Sequence, residues 1–85
     1  MNDPLPETRR LTDAAPGEPV TVQRLSHTGS IRRRLFDVGL TPGTRVERVG
    51  TSPMGDPAAY LIRGAVIAIR AADARGVYVA TGVRA

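Results

Sequence analysis

The chain contains no cysteine, no tryptophan and no lysine, and it has one histidine and three aromatic rings, Phe36, Tyr60 and Tyr78. Without cysteine there is no disulfide staple, no zinc–thiolate site and no thiol nucleophile. A single imidazole, His27, makes neither a catalytic triad nor a transition-metal site, because such metals need several imidazole or thiolate ligands. His27 follows Ser26, but neighbours along a chain are not a nucleophile–base pair, so it reads as a solvated loop histidine ahead of a helix. Three aromatics are too few for a base-stacking platform. No apolar run is longer than Ala65–Ile69, far short of the ~20 residues of a membrane helix. The first ten residues, MNDPLPETRR, are polar and proline-bearing, unlike a secretory signal. The expectation is a cytoplasmic protein that does not insert into membrane, has no cofactor or metal of its own and is not an enzyme.

What remains is a chain of 85 residues and 9.0 kDa with a net charge of +4, room for one small domain with a thin core. The charge is local. Residues 23–48 carry six arginines (24, 32, 33, 34, 45 and 48) against Asp37 and Glu47, which accounts for the whole excess of four.

Residues 1–10 carry Pro4, Pro6 and charges with little to bury, and read as a flexible N-terminal tail ahead of a domain over 11–85. Pro16, Gly17 and Pro19 turn the chain into a strand over 20–25, where Val20, Val22 and Arg24 alternate with Thr21, Gln23 and Leu25. Ser26, Thr28 and Ser30 are candidate helix caps. Ile31, Leu35 and Val38 then fall at helical spacing, predicting a short helix over about 29–38. Gly39 suits the left-handed position after it, and Pro42 stops it resuming. Pro42-Gly43 suits a type II turn before a strand over 44–50. Two apolar runs, 58–63 and 65–70, separated by little more than Gly64, predict a tight hairpin. Residues 71–75 read as a helical turn and 77–80 as a last strand. Five short strands and one short helix predict a mainly β fold, a small antiparallel barrel whose closure removes exposed edges and whose helix plugs one end with Ile31, Leu35 and Val38. The glycines of GTSPMGD do not make a phosphate loop, since no lysine and no helix follow.

The run Arg33-Arg34-Leu35-Phe36-Asp37-Val38-Gly39-Leu40-Thr41-Pro42-Gly43 resembles the signature of the FeoA family (ferrous iron transport protein A), in which an Arg-Leu pair precedes a Gly-Leu-x-Pro-Gly turn. The resemblance continues in order through Pro53-Met54-Gly55-Asp56-Pro57, Arg63-Gly64 with Ala68-Ile69-Arg70, and Asp73-Ala74 with Val77-Tyr78-Val79. Leu11 and Pro16-Gly17-Glu18 are similar to its opening, so it covers about residues 11–80. Where the family often has an aromatic after the hairpin glycine, this chain has Ala65-Val66-Ile67. The resemblance implies an SH3-like barrel. It also implies a small cytoplasmic accessory, peripheral to the inner membrane through its partner, that binds the FeoB ferrous iron transporter, a membrane protein with a G-protein domain, by protein–protein contact.

Within that frame, Arg32 and Phe36 lie one turn apart on a helical spoke off the core stripe, an apolar-plus-cationic pair of the kind that anchors interfaces. Leu40 after the helix, Met54 at a loop tip and Tyr60 on a strand complete the candidate partner-binding set. Arg33 lies one turn from Asp37 and could pair with it for about 0.3 kcal/mol. Two other functions compete. One is nucleic-acid binding by the arginine-rich 23–48 segment, disfavoured because its three consecutive arginines point to different helix faces. The other is a regulatory barrel like that of iron-dependent repressors, which ranks last because the chain has no DNA-binding helices. The reading also allows a homo-oligomer.

Overall fold

The computed structural model describes residues 9–81. Eight elements follow in order: β1 (Arg9–Arg10), β2 (Pro19–Leu25), α1 (Gly29–Asp37), β3 (Arg45–Thr51), β4 (Ala58–Ile62), β5 (Ala65–Ile69), α2 (Ala71–Ala74) and β6 (Val77–Thr81). A single turn of 3-10 helix, Leu11–Asp13, follows β1. The strands form one antiparallel sheet in the order β1-β6-β2-β3-β4-β5.

Val20 and Val22 of β2, Val46 of β3, Tyr60 and Ile62 of β4, Ile69 of β5 and Val77 and Val79 of β6 are buried together in one cluster. A single sheet whose inward residues all meet has curled around its own buried face, as a small barrel does. Leu11, Leu35 and Leu40 join the same cluster from outside the sheet. The mainly β antiparallel fold expected from the sequence is therefore present, with six strands among the described residues where the sequence suggested five.

The added strand is β1. Arg9 pairs with Val79 and Arg10 with Tyr78, so the sheet includes the last two residues of the segment read as tail. The Arg9 guanidinium holds both oxygens of the Glu18 carboxylate, at 2.7 and 3.1 Å, and donates to Thr81 Oγ1 at 2.6 Å and the Asp13 carbonyl at 2.8 Å. A charged dipeptide with nothing apolar to bury is thus held by its arginine. The rest of that tail, residues 1–8, lies outside the described residues.

Two β-bulges alter the alternation read from the sequence. In β2 the register shifts between Val22 and Arg24, so the inward residues are Val20, Val22 and Leu25, and Arg24 turns outward opposite Tyr78. In β3 the shift between Arg48 and Gly50 leaves Val49 unpaired and exposed.

The helix begins after Thr28, whose backbone is extended but whose hydroxyl makes no capping bond. It ends in a Schellman arrangement. The Leu40 N–H donates to the Leu35 carbonyl at 3.0 Å and the Gly39 N–H to the Phe36 carbonyl at 2.9 Å, with Gly39 at φ 110°. Leu35 and Leu40 are both buried, which is the apolar contact that usually accompanies this motif. Of the helical stripe, Leu35 is core, Val38 packs at its margin, and Ile31 is 41% exposed. Ile31, in the first turn, lies outside the core cluster and does not plug the barrel as expected.

The β4–β5 hairpin turns on Arg63 and Gly64, at φ 51° and 84°, between the paired Ile62 and Ala65. Two left-handed residues in a two-residue loop match the right-handed twist of the strands. Among the described residues no ladder joins β5 back to β1, so the closure of edges expected from the sequence is incomplete.

Candidate functional site

Arg32 and Phe36 share a spoke of α1, and the structure brings them into contact. The Arg32 guanidinium carbon sits 4.6 Å from the Phe36 ring centroid, within cation–π range. The same guanidinium donates to the Leu25 carbonyl at 3.3 Å, which ties the start of the helix to the end of β2. Phe36 is half-buried: one face packs against the core margin and the other lines an open groove of about 460 Å³ with Gly29, Arg32, Arg33 and Asp37. Arg33 makes no ion pair with Asp37. Both side chains are exposed, and the groove carries two cations against one carboxylate. This surface offers an apolar ring under a fixed positive charge, suited to anchoring a partner that brings an apolar side chain beside an acidic one.

The other three candidates do not join it. Leu40 is 0% exposed and belongs to the core, because the Schellman turn folds it under Leu35. Tyr60 is 1% exposed on the inner face of β4, where burial pushes its phenol up from the ordinary value, the nearby Asp56 adds to the rise, and the charge of Arg48 opposes it. Neither side chain is available to a partner, so both are corrected to structural residues. Met54 is 89% exposed, as its loop position suggested. Its neighbours Gly55 and Asp56 line a separate pocket of about 140 Å³ with Arg48 and Tyr60, sharing no residue with the Phe36 groove.

His27 is not the solvated residue its loop position suggested. Its Nε2 lies 2.8 Å from the Asp73 carbonyl oxygen, and its ring is seated on Gly76, where a Cβ would come within 2.6 Å of it. With Ser26 Oγ donating to the Gly76 carbonyl at 3.1 Å, the histidine clamps the β2–α1 loop to the end of α2. Among the described residues no three His, Cys, Asp or Glu side chains converge on a position for a metal ion.

Sequence reasoning missed a second aromatic–arginine cluster. Register places Arg10, Tyr78 and Arg24 side by side across β1, β6 and β2, with guanidinium carbons 5.2 and 4.0 Å from the Tyr78 centroid. Tyr78 between the inward Val77 and Val79 was the available signal, but its partners depend on strand order and a bulge. The arginine-rich segment is also less available than its composition suggests. Arg24 lies on Tyr78, Arg32 on Phe36, and Arg48 donates to the Ala14 carbonyl and Thr51 Oγ1 at 3.2 and 2.8 Å.

The FeoA domain family matches residues 9–81, nearly the whole chain. The fold is similar to that of iron(II) transport protein A from Clostridium thermocellum, at 30% identity and TM-score 0.82 over 86% of this chain and 45% of that one. It is similar to the FeoA protein of Chlorobium tepidum at 27% identity and TM-score 0.81, covering 86% of this chain and 70% of that one. It is also similar to the FeoA of Stenotrophomonas maltophilia complexed with zinc, described as a procaryotic SH3 domain protein, at 25% identity and TM-score 0.75 over 91% and 99% of the two chains. No curated protein matches the sequence.

Proposed function

Because the chain belongs to the FeoA family, which is associated with ferrous iron transport, we propose that it is a cytoplasmic accessory protein that binds an FeoB-type transporter through the Arg32–Phe36 surface. The observation that carries this reading is the Phe36 ring, held half-exposed under the Arg32 guanidinium beside an open groove. An aromatic kept half-exposed at a surface and framed by arginine has the makeup of an interface anchor. The role is binding rather than catalysis, and the iron is the transporter's cargo. No described helix is long and apolar enough to cross a membrane, so attachment to the membrane would come through the partner.

The test is a calorimetric titration of the transporter's soluble G-protein domain against this protein and its Arg32→Glu variant. Loss of roughly tenfold or more in affinity, about 1.4 kcal/mol, with an unchanged circular dichroism spectrum is expected. Equal affinity for the two proteins removes this surface.

The alternative, nucleic-acid binding by residues 23–48, is weakened because three of the segment's six arginines are engaged on separate parts of the molecule. A gel shift at low salt that disappears on reversing the charge of Arg33 and Arg34 would favour it instead.

A further inference from the structure

The two edges of the sheet are unlike. The β1 edge is two residues long and both are arginines. Short, charged strands are how proteins keep an edge from pairing. The β5 edge, Ala65–Ile69, is five residues long, carries no charge and contains no proline. Its residues Ala65, Val66 and Ala68 are exposed, Val66 by 64%.

Which backbone groups are free follows from the hairpin. In a two-residue turn the flanking pair, Ile62 and Ala65, exchanges both hydrogen bonds. Alternation then makes Tyr60–Ile67 and Ala58–Ile69 the other bonded pairs, and turns the N–H and C=O of Val66 and Ala68 away from β4. Among the described residues nothing else bonds to them.

Beside this edge lies a groove of about 300 Å³ between α1 and β5. Its floor is Leu35, Val38 and Ile67, and Arg34 and Arg70 stand on it against Asp73 alone. A free strand edge next to a helix with an apolar channel between them is the geometry that accepts an added strand. The edge supplies main-chain bonds, and the channel takes alternate side chains. The excess of arginine selects the charge of what enters.

We propose that the β5 edge and the α1–β5 groove bind an extended peptide segment of a partner protein by strand addition, the segment carrying apolar residues at alternate positions and acidic residues at its ends. The added strand pairs with Val66 and Ala68, its inward apolar side chains lie over Leu35, Val38 and Ile67, and its carboxylates meet Arg34 and Arg70. This surface shares no lining residue with the Phe36 groove and does not rest on the transporter-binding reading.

The probe is a synthetic six-residue peptide of alternating valine and threonine with a glutamate at each end, titrated into the ¹⁵N-labelled full chain. Binding should shift the Val66 and Ala68 amides and slow their hydrogen exchange. Lysine at both ends of the peptide, or Arg70→Glu in the protein, should weaken binding several-fold. Ala68→Pro should weaken it roughly tenfold or more while keeping the fold, because proline is tolerated where an edge N–H faces solvent. Should that variant unfold, the peptide methylated on alternate backbone nitrogens carries the same test, since it cannot pair. Absence of saturable shifts at Val66 and Ala68 with millimolar peptide overturns the proposal, as does equal binding of the methylated peptide. Protection of both amides without peptide, with a sedimentation coefficient that rises with concentration, also overturns it, because a second copy then holds the edge. Arg32→Glu should leave peptide binding unchanged, so that failure of either surface is read separately.

Discussion

The guanidinium of Arg32 lies over the ring of Phe36 at 4.6 Å, one helical turn along α1. The two residues contribute unequally to stability, which separates folding from binding. Arg32→Ala removes a surface cation–π contact and a 3.3 Å hydrogen bond to the Leu25 carbonyl, together worth about 1 kcal/mol. Phe36→Ala removes a ring half of which packs on the core, about 2 kcal/mol against the 3–5 of a fully buried phenylalanine. Urea unfolding should show this order, and a larger loss for Arg32→Ala than for Phe36→Ala would mean that the ring is not seated on the core.

His27 and Gly76 should behave as one unit. A Cβ at position 76 would stand 2.6 Å from His27 Cε1 and 2.9 Å from Ser26 Oγ, so Gly76→Ala must displace the imidazole from the Asp73 carbonyl. Each single variant, Gly76→Ala and His27→Ala, should destabilise by about 1–2 kcal/mol, and the double variant by clearly less than the sum. Additive losses in thermal unfolding would show that the two are not in contact.

Gly39→Ala should be among the more damaging glycine substitutions, because Gly39 is buried. The position has φ 110°, and a Cβ would meet Ile62 Cγ2 at 2.8 Å, inside the core strand β4. Strained backbone and overpacking together should cost about 2–4 kcal/mol. Gly43→Ala, also at positive φ but facing open space, should cost only about 1 kcal/mol. Chemical denaturation of the pair checks the difference, and equal losses would place the cost in the backbone alone.

Acid should loosen β1 first. The Arg9 guanidinium and, secondarily, the Ala15 N–H hold the Glu18 carboxyl down to about 2, against an ordinary value of ~4.3. A carboxyl whose pKa is lower folded than unfolded stabilises above its unfolded value, and the contribution fades as pH falls from about 5 towards 2. With both partners about a quarter exposed, the pair is worth about 1 kcal/mol. Melting temperature against pH should fall more steeply below pH ~5 for the wild type than for Glu18→Gln. Parallel curves would remove Glu18 as the titrating group.

Local signals in this chain had local causes, and they were legible. Pro42-Gly43 implies its turn, Gly39 its helix end, Gly64 its hairpin, and the Ala-rich run 71–74 its helical turn, because each depends on the backbone freedom of a few adjacent residues. The same was true of the Arg32–Phe36 pair, since helical periodicity alone puts the two on one spoke. Leu40 and Tyr60 were misread as contact residues because exposure is not local. One is folded under α1 by a cap and the other faces the inside of a curled sheet.

The opening absences keep their meaning: no cysteine and one histidine determine, from sequence alone, that this chain has no disulfide and no cluster of imidazole or thiolate ligands. Element order and most turn positions were determined the same way. Only the tertiary structure decided that Arg9 and Arg10 form a sixth strand, that bulges at positions 23 and 49 re-aim Leu25, Arg24 and Val49, and that no other described strand pairs with the outer edge of the apolar β5. Each of these depends on which strand lies beside which, and that is set by packing between residues far apart in the chain.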